Sequence, residues 1–422
     1  MHIFSQILKD ELISALGCTE PIAVALASAK ARKVLGETPV KVDAYCSGNI
    51  IKNVMGVTVP NSGGLKGIES AVALGIVGGD PDLGLEVLSR INGEQLAKTR
   101  QMLADGIIQV HLKEDVPSLD IEIHMEDQSG SKAIVEIMYK HNNIVRISCN
   151  GQEFMEAQIL GMDSEESGHD ELSMERILDY ADTIDLAEIR PELETQITQN
   201  TAIVQAGLSQ DYGASIGKLL LAGGNDVRTR ARARAAAGSD ARMSGCALPV
   251  VINAGSGNQG ITCSIPVLEY AQEMGADEEL TMRALLVSNL TALHIKRYIG
   301  RLSAFCGVTS AGAAAGAGIA YLYDPTDRKL IYETVANGLM IDTGMVCDGA
   351  KPSCAAKIAS AVDAGITGFE MARNGRSFLP GEGLLKETIE ETIKSVGRLG
   401  SIGMKETDIE VLNIMLGKSK EA

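Results

Sequence analysis

Between Gly307 and Tyr321 the chain carries no charged residue, and most positions are alanine or glycine: Gly-Val-Thr-Ser-Ala-Gly-Ala-Ala-Ala-Gly-Ala-Gly-Ile-Ala-Tyr. Side chains this small let neighbouring backbone come close on several sides, so the run predicts a helix in a tightly packed helical interior. It is too short to span a bilayer. Glycine is abundant throughout (45 residues) while aromatics make up 3% and tryptophan is absent, which favours backbone-lined sites over the stacking platforms that grip single-stranded nucleic acid. The 55 acidic residues outnumber 38 basic ones, for a net charge of -17, the wrong sign for a phosphate backbone or an anionic membrane. A small-molecule ligand is expected, with no nucleic acid and no membrane as partner, and a homo-oligomer is compatible with the composition. No basic segment leading into an apolar one opens the chain, so a cytoplasmic location is expected.

At 422 residues two or three domains are expected. Apolar spacing predicts a helix over 3–15, a turn at Leu16-Gly17-Cys18-Thr19-Glu20-Pro21, and a helix over 22–34. Residues 40–46 alternate like a strand; helices are expected at 65–77, 81–91 and 94–104, and strands at 107–114, 119–126, 132–139 and 143–149 read as a small antiparallel meander. A polar linker over 161–171 follows. Beyond it the pattern is helical: 172–183, 190–208, 212–222, 226–237, 258–274, 277–299, 308–322, 326–345, 353–373, 384–397 and 405–416. The fold class is α+β: a mostly helical catalytic domain (1–35 and 166–422) with an inserted, smaller α/β module (36–165) containing the meander.

Eight cysteines and no CxxC pair exclude zinc-ribbon and thioredoxin readings. Cys306, Cys347 and Cys354 stand at C-x40-C-x6-C, each near glycine or proline. From spacing alone they read more readily as buried structural thiols than as iron-sulfur ligands. Cys18 falls at a helix start, where the helix end would lower a thiol pKa, or else it is a small residue in a turn. Gly255-Ser256-Gly257-Asn258-Gln259-Gly260 is a backbone-rich turn before a helix, suited to a carboxylate or simply a loop; Ser47-Gly48-Asn49 opens a similar stretch. Arg242, beside Ser244-Gly245, is a ligand candidate. Arg228, Arg230, Arg232 and Arg234 lie two apart, so they cannot share one helix face and should be solvated or paired. The six histidines form no metal-binding spacing and read as structural.

Leu16-Gly17-Cys18-Thr19-Glu20-Pro21, Ser47-Gly48-Asn49, Gly255–Gly260, Cys306-Gly-Val-Thr and Cys347-Asp-Gly-Ala-Lys-Pro-Ser-Cys354 together resemble the L-cysteine desulfidase family, relatives of the iron-sulfur L-serine dehydratases, along essentially the whole chain. The resemblance implies that Cys306, Cys347 and Cys354 hold a [4Fe-4S] cluster, that Cys18 is the proton acceptor, and that L-cysteine is eliminated to pyruvate, ammonia and sulfide. Residues 416–422 hold no cysteine, so water, substrate or another group is the expected fourth iron ligand. Backbone N–H groups near Gly255–Gly260 or Ser47–Asn49 would hold the carboxylate of the amino-acid substrate. The alternatives are L-serine dehydration at the same site and, from another class, a non-catalytic amino-acid or redox sensor.

Overall fold

The computed structural model describes residues 2–156 and 168–418. The expected linker over 161–171 lies largely outside them. The predicted α+β class holds: helices dominate, with one mixed sheet and one two-stranded ribbon.

The small-residue run forms the helix Gly307–Tyr323, buried along nearly its whole length and flanked by Gly257–Met274, Glu278–Ile299, Arg328–Asp342 and Cys354–Arg373. Glycine makes the closest crossing feasible. A Cβ on Gly312 would sit 2.2 Å from Ala361 O, and one on Gly365 2.1 Å from Gly312 O, so these two helices meet backbone to backbone. The helix Val227–Met243 lies against Arg190–Ser209, Gly257–Met274 and Cys354–Arg373. Its alternating arginines are paired on two sides, Arg228 and Arg232 with Asp363, Arg230 and Arg234 with Glu269. This helix runs six residues past the predicted end because its last turns are buried among alanines, and it carries Arg242 into the interior.

The sheet order is Ile108–Lys113, Pro39–Ser47, Asp120–Asp127, Lys132–Met138, Ile144–Cys149, Gln152–Glu156. The strand predicted at 107–114 is not part of the meander: it runs parallel to Pro39–Ser47 on the opposite side. Two helices, Ile68–Gly78 and Gly93–Ala104, supply the crossover that a parallel pair requires. Ile121, Ile123, Val135 and Ile137 are buried on the face covered by Thr19–Leu35, while Lys113 on the sheet is ion-paired with Asp120, Glu122 and Glu136.

Other expectations change. The first helix stops at Glu11, because Ser14–Leu16 pairs antiparallel with Pro249–Val251. Residues 81–91 hold only the short turn of helix Pro81–Glu86. Gly48–Met55, read as a loop, is a helix whose Ile50, Ile51 and Val54 are buried. No helix among the described residues is long and apolar enough to cross a membrane.

Candidate functional site

Four helix N-termini face one buried region. Cys18 is the N-cap of Thr19–Leu35 and Cys306 the N-cap of Gly307–Tyr323; Cys354 is the first residue of its helix, and Gly257 opens Gly257–Met274. The contacts between them are direct. Thr19 Oγ1 donates to Gly255 O at 2.9 Å, a Cβ on Gly307 would lie 2.7 Å from Gln259 Nε2, and Cys18 packs in a small apolar cluster with Val57, Met243, Ala350 and Cys354. Unpaired N–H groups at each end make the region electropositive.

Local backbone explains why these residues arrive here. Gly17 has φ of 59°, and a Cβ there would meet Pro60 Cγ at 2.2 Å, so the turn that presents Cys18 requires glycine. Ala254 (φ 48°) and Gly255 (φ 76°) form a tight reversal closed by mutual hydrogen bonds between Asn253 and Ser256. A non-glycine residue in this conformation costs about 1–3 kcal/mol, strain held by the surrounding packing.

The three predicted thiols come together. Cys306 N–H donates to Met345 O and Cys347 N–H to Ala304 O, tying the 345–347 segment to the start of the Gly307–Tyr323 helix. The Cys306 thiol donates toward Cys347, and that contact, acting against burial and aided by the Lys52 charge and the Gly349 N–H, holds the Cys347 thiol down at about 6. The same contact and burial push Cys306 up. Cys354 reaches Gly349 O at 3.7 Å, and burial raises its pKa. Two buried lysines flank the trio: Lys52 pairs with Asp408 at 2.5 Å, and Lys296 is brought down to about 8 by burial.

Cys18 takes its predicted place but not its predicted state. Burial comes first and the Glu20 charge second in pushing its pKa well up, so the thiol is protonated and donates to Glu20 Oε2 at 3.1 Å; the helix end does not prevail. Burial would also raise the Glu20 carboxyl, but His141 and Cys18 outweigh it and hold it at about 2. Asn53 Nδ2 donates to Glu20 Oε1 at 3.2 Å, and His141 Nε2 stands 3.8 Å away, within ion-pair reach but not hydrogen-bonded.

Arg242 is 2% exposed, its Nε has no hydrogen-bond partner, and a Cβ on Gly257 would come within 2.3 Å of that nitrogen. The guanidinium thus packs against the start of the Gly257–Met274 helix. Unpartnered buried polar atoms also occur on Asn53, His141, Asn258, Gln259, Thr309 and Ser310, an unusual concentration unless a ligand completes them. Asn49 Oδ1 is unpartnered too, but Ser47, Gly48 and Asn49 belong elsewhere. They line a separate cleft of about 620 Å³ beneath the helix Lys405–Met415, where Ser47 Oγ donates to Ser118 O and Asn49 Nδ2 to Asp408.

Residues 82–413 match the family model described as serine dehydratase alpha chain. The chain belongs to the serine dehydratase alpha-chain family. It is 56% identical to a UPF0597 protein of Finegoldia magna over 99% of this chain and 100% of that one, and 49% identical to a UPF0597 protein of Lachnoclostridium phytofermentans over 97% and 98%. A UPF0597 protein of Treponema denticola is 41% identical over 98% of this chain and 97% of its own. The serine dehydratase relationship marks the chain as a lyase-like enzyme.

Serine dehydratase alpha chains are typically iron-sulfur dependent, and the residues present fit such a group. No three His, Cys, Asp or Glu side chains among the described residues converge as a single-ion site requires. In a cluster each thiolate binds its own iron, so the three need only line one pocket. Cys306 and Cys347 are in contact and Cys354 is near enough to act on Cys306, with buried lysines and helix ends to balance thiolate charge and with Thr309 Oγ1 and Ser310 Oγ unpartnered on the same helix as Cys306.

Sequence reading missed Glu20 as more than a cap, and it missed Asn53, His141, Lys52 and Lys296. Glu20 sat inside the Leu16–Pro21 motif and Asn53 four residues beyond Ser47–Asn49, and only their convergence marks them out. His141 lies in a predicted turn of the meander and gave no signal at all.

Proposed function

We propose that the protein is an L-cysteine desulfidase that eliminates L-cysteine to pyruvate, ammonia and sulfide, with Cys306, Cys347 and Cys354 as the ligands of a [4Fe-4S] cluster. The observation that carries the reading is the meeting of three thiols and Cys18 at four helix N-termini. A bound cluster with three protein ligands would supply an open iron as Lewis acid for the departing sulfur. The chain's own residues supply the rest. Arg242 and the N–H groups of Gly257 and Asn258, after Gly255 and Ser256, hold the substrate carboxylate, the guanidinium as a fixed planar donor and the helix end as an anion site. Cys18 Sγ is the candidate acceptor for the Cα proton and acts as a base only once its own proton is lost. Its burial keeps water from the developing carbanion.

The second reading is L-serine dehydration at the same site, favoured by the description of the matching family. Residues 36–165 are proposed as an inserted module, and residues 1–35 with 166–422 as the catalytic domain; the pairing of Ser14–Leu16 with Pro249–Val251 supports this, although the helix Thr19–Leu35 also covers the sheet. Anaerobic purification with iron and sulfide analysis, followed by pyruvate assays on L-cysteine and L-serine, tests both. Pyruvate from L-cysteine in excess over L-serine is the expected result. Colourless protein that makes no pyruvate from either after reconstitution overturns the lyase reading.

A further inference from the structure

Glu20 is a buried carboxylate with few donors. Its side chain is 10% exposed, and it accepts from the Cys18 thiol, a weak donor, and from Asn53 Nδ2. Thr19 Oγ1 lies 3.2 Å from it, but the one hydroxyl proton has the shorter contact of 2.9 Å to Gly255 O. No lysine or arginine pairs with Glu20 among the described residues. His141, at 3.8 Å, is the nearest group able to carry positive charge. With His141 Nε2 not hydrogen-bonded to it, the ionised carboxylate has no charged donor among the described residues and presents acceptor oxygens to a cationic ligand.

The unpartnered atoms nearby sort by chemistry. On the Glu20 side stands an acceptor, Asn53 Oδ1, left over because its Nδ2 is on Glu20. On the other side stands a donor, the buried Arg242 guanidinium with Nε unpaired. Cys18 is hydrogen-bonded to Glu20 and packs against Met243, the neighbour of Arg242. An α-amino acid has the matching pattern, with three N–H donors on a cation, two acceptors on an anion, and the Cα–H between them.

We propose that Glu20, with Asn53, is the binding site for the substrate α-ammonium group and that Glu20 together with Arg242 restricts the enzyme to free α-amino acids. The chemistry after binding rests on the lyase reading, but the site itself is defined by the charges alone. The ammonium group takes over the carboxylate oxygen now held by the Cys18 S–H, leaving the sulfur free to face Cα. The meander gains a role, since His141 closes the far side of Glu20.

The test is calorimetric binding to the anaerobically purified full chain of L-alanine, which has both charges and no leaving group, and of L-lactate, which has a hydroxyl in place of the ammonium. Wild type should prefer L-alanine. Glu20→Gln should weaken L-alanine by on the order of ten- to a hundredfold, as loss of a charged hydrogen bond does, with little effect on L-lactate and unchanged iron content. Equal weakening of both ligands overturns the proposal, as does a wild type that binds L-lactate as tightly as L-alanine; the latter comparison needs no variant to fold. Pyruvate formation without any L-alanine preference sinks the ammonium site alone. A clear L-alanine preference that Glu20→Gln abolishes, in a protein that makes no pyruvate, supports the site while overturning the lyase reading.

Discussion

At the scale of single residues, burial decides behaviour that sequence position suggested otherwise. Cys18 sits on a helix end, yet the adjacent Glu20 and the loss of water keep its proton on. Cys18→Ala should abolish pyruvate formation while leaving iron content and the visible absorbance of the cluster intact; loss of the absorbance would instead make Cys18 a ligand. Asp240 shows burial acting on stability. It accepts from the Gly217 N–H at 3.0 Å, its Oδ1 is unpartnered, and burial lifts its carboxyl from 3.8 to about 6. The folded state therefore binds this proton more tightly than the unfolded chain, so the contribution of Asp240 to stability is fullest below about pH 4 and is lost as pH rises past about 6. Asp240→Asn should remove this decline and be more stable above pH 6 by on the order of 2–3 kcal/mol, read as melting temperature against pH.

At the scale of elements, the trio depends on how two helices cross. Gly307–Tyr323 and Cys354–Arg373 start at Cys306 and Cys354, and their backbone contact through Gly312 and Gly365 sets how far apart those starts lie. Gly365→Ala must push the helices apart and should cost about 1–3 kcal/mol, as overpacking usually does. Iron content per chain should fall with it, whereas an exposed control such as Gly93→Ala should leave iron content unchanged. The sequence made most of these helices legible, because their apolar period and glycine breaks are local. It did not reveal the helix Gly48–Met55, whose short span starts with Gly-Asn and is held by burial of Ile50, Ile51 and Val54.

At the scale of the whole molecule, the C-terminal helix Lys405–Met415 reaches back to the thiol site through one carboxylate. Asp408 accepts from Asn49 and from Lys52, whose side chain is 1% exposed and whose charge acts on Cys347. Asp408→Ala leaves a buried ammonium without its partner. Because Asp408 is itself partly exposed, the loss should fall toward the low end of the roughly 3–5 kcal/mol seen for buried pairs, measured as a lowered urea midpoint. Asp408→Asn, which keeps an acceptor, should lose less. An unchanged midpoint in the alanine variant would show that the helix is not anchored there.

The sequence by itself determined the helical character of the chain, the strands of the module, the placement of Cys18 and Cys306 at helix starts and the candidacy of Arg242, because each is written in neighbouring residues. Only the tertiary structure decided that the 108–113 strand leaves the meander, that Ser47–Asn49 stands apart from the thiols, and that Glu20, Asn53, His141 and Arg242 close around Cys18. Those outcomes depend on burial and on charges brought together from distant segments, and neither desolvation nor a long-range contact leaves a local pattern to read.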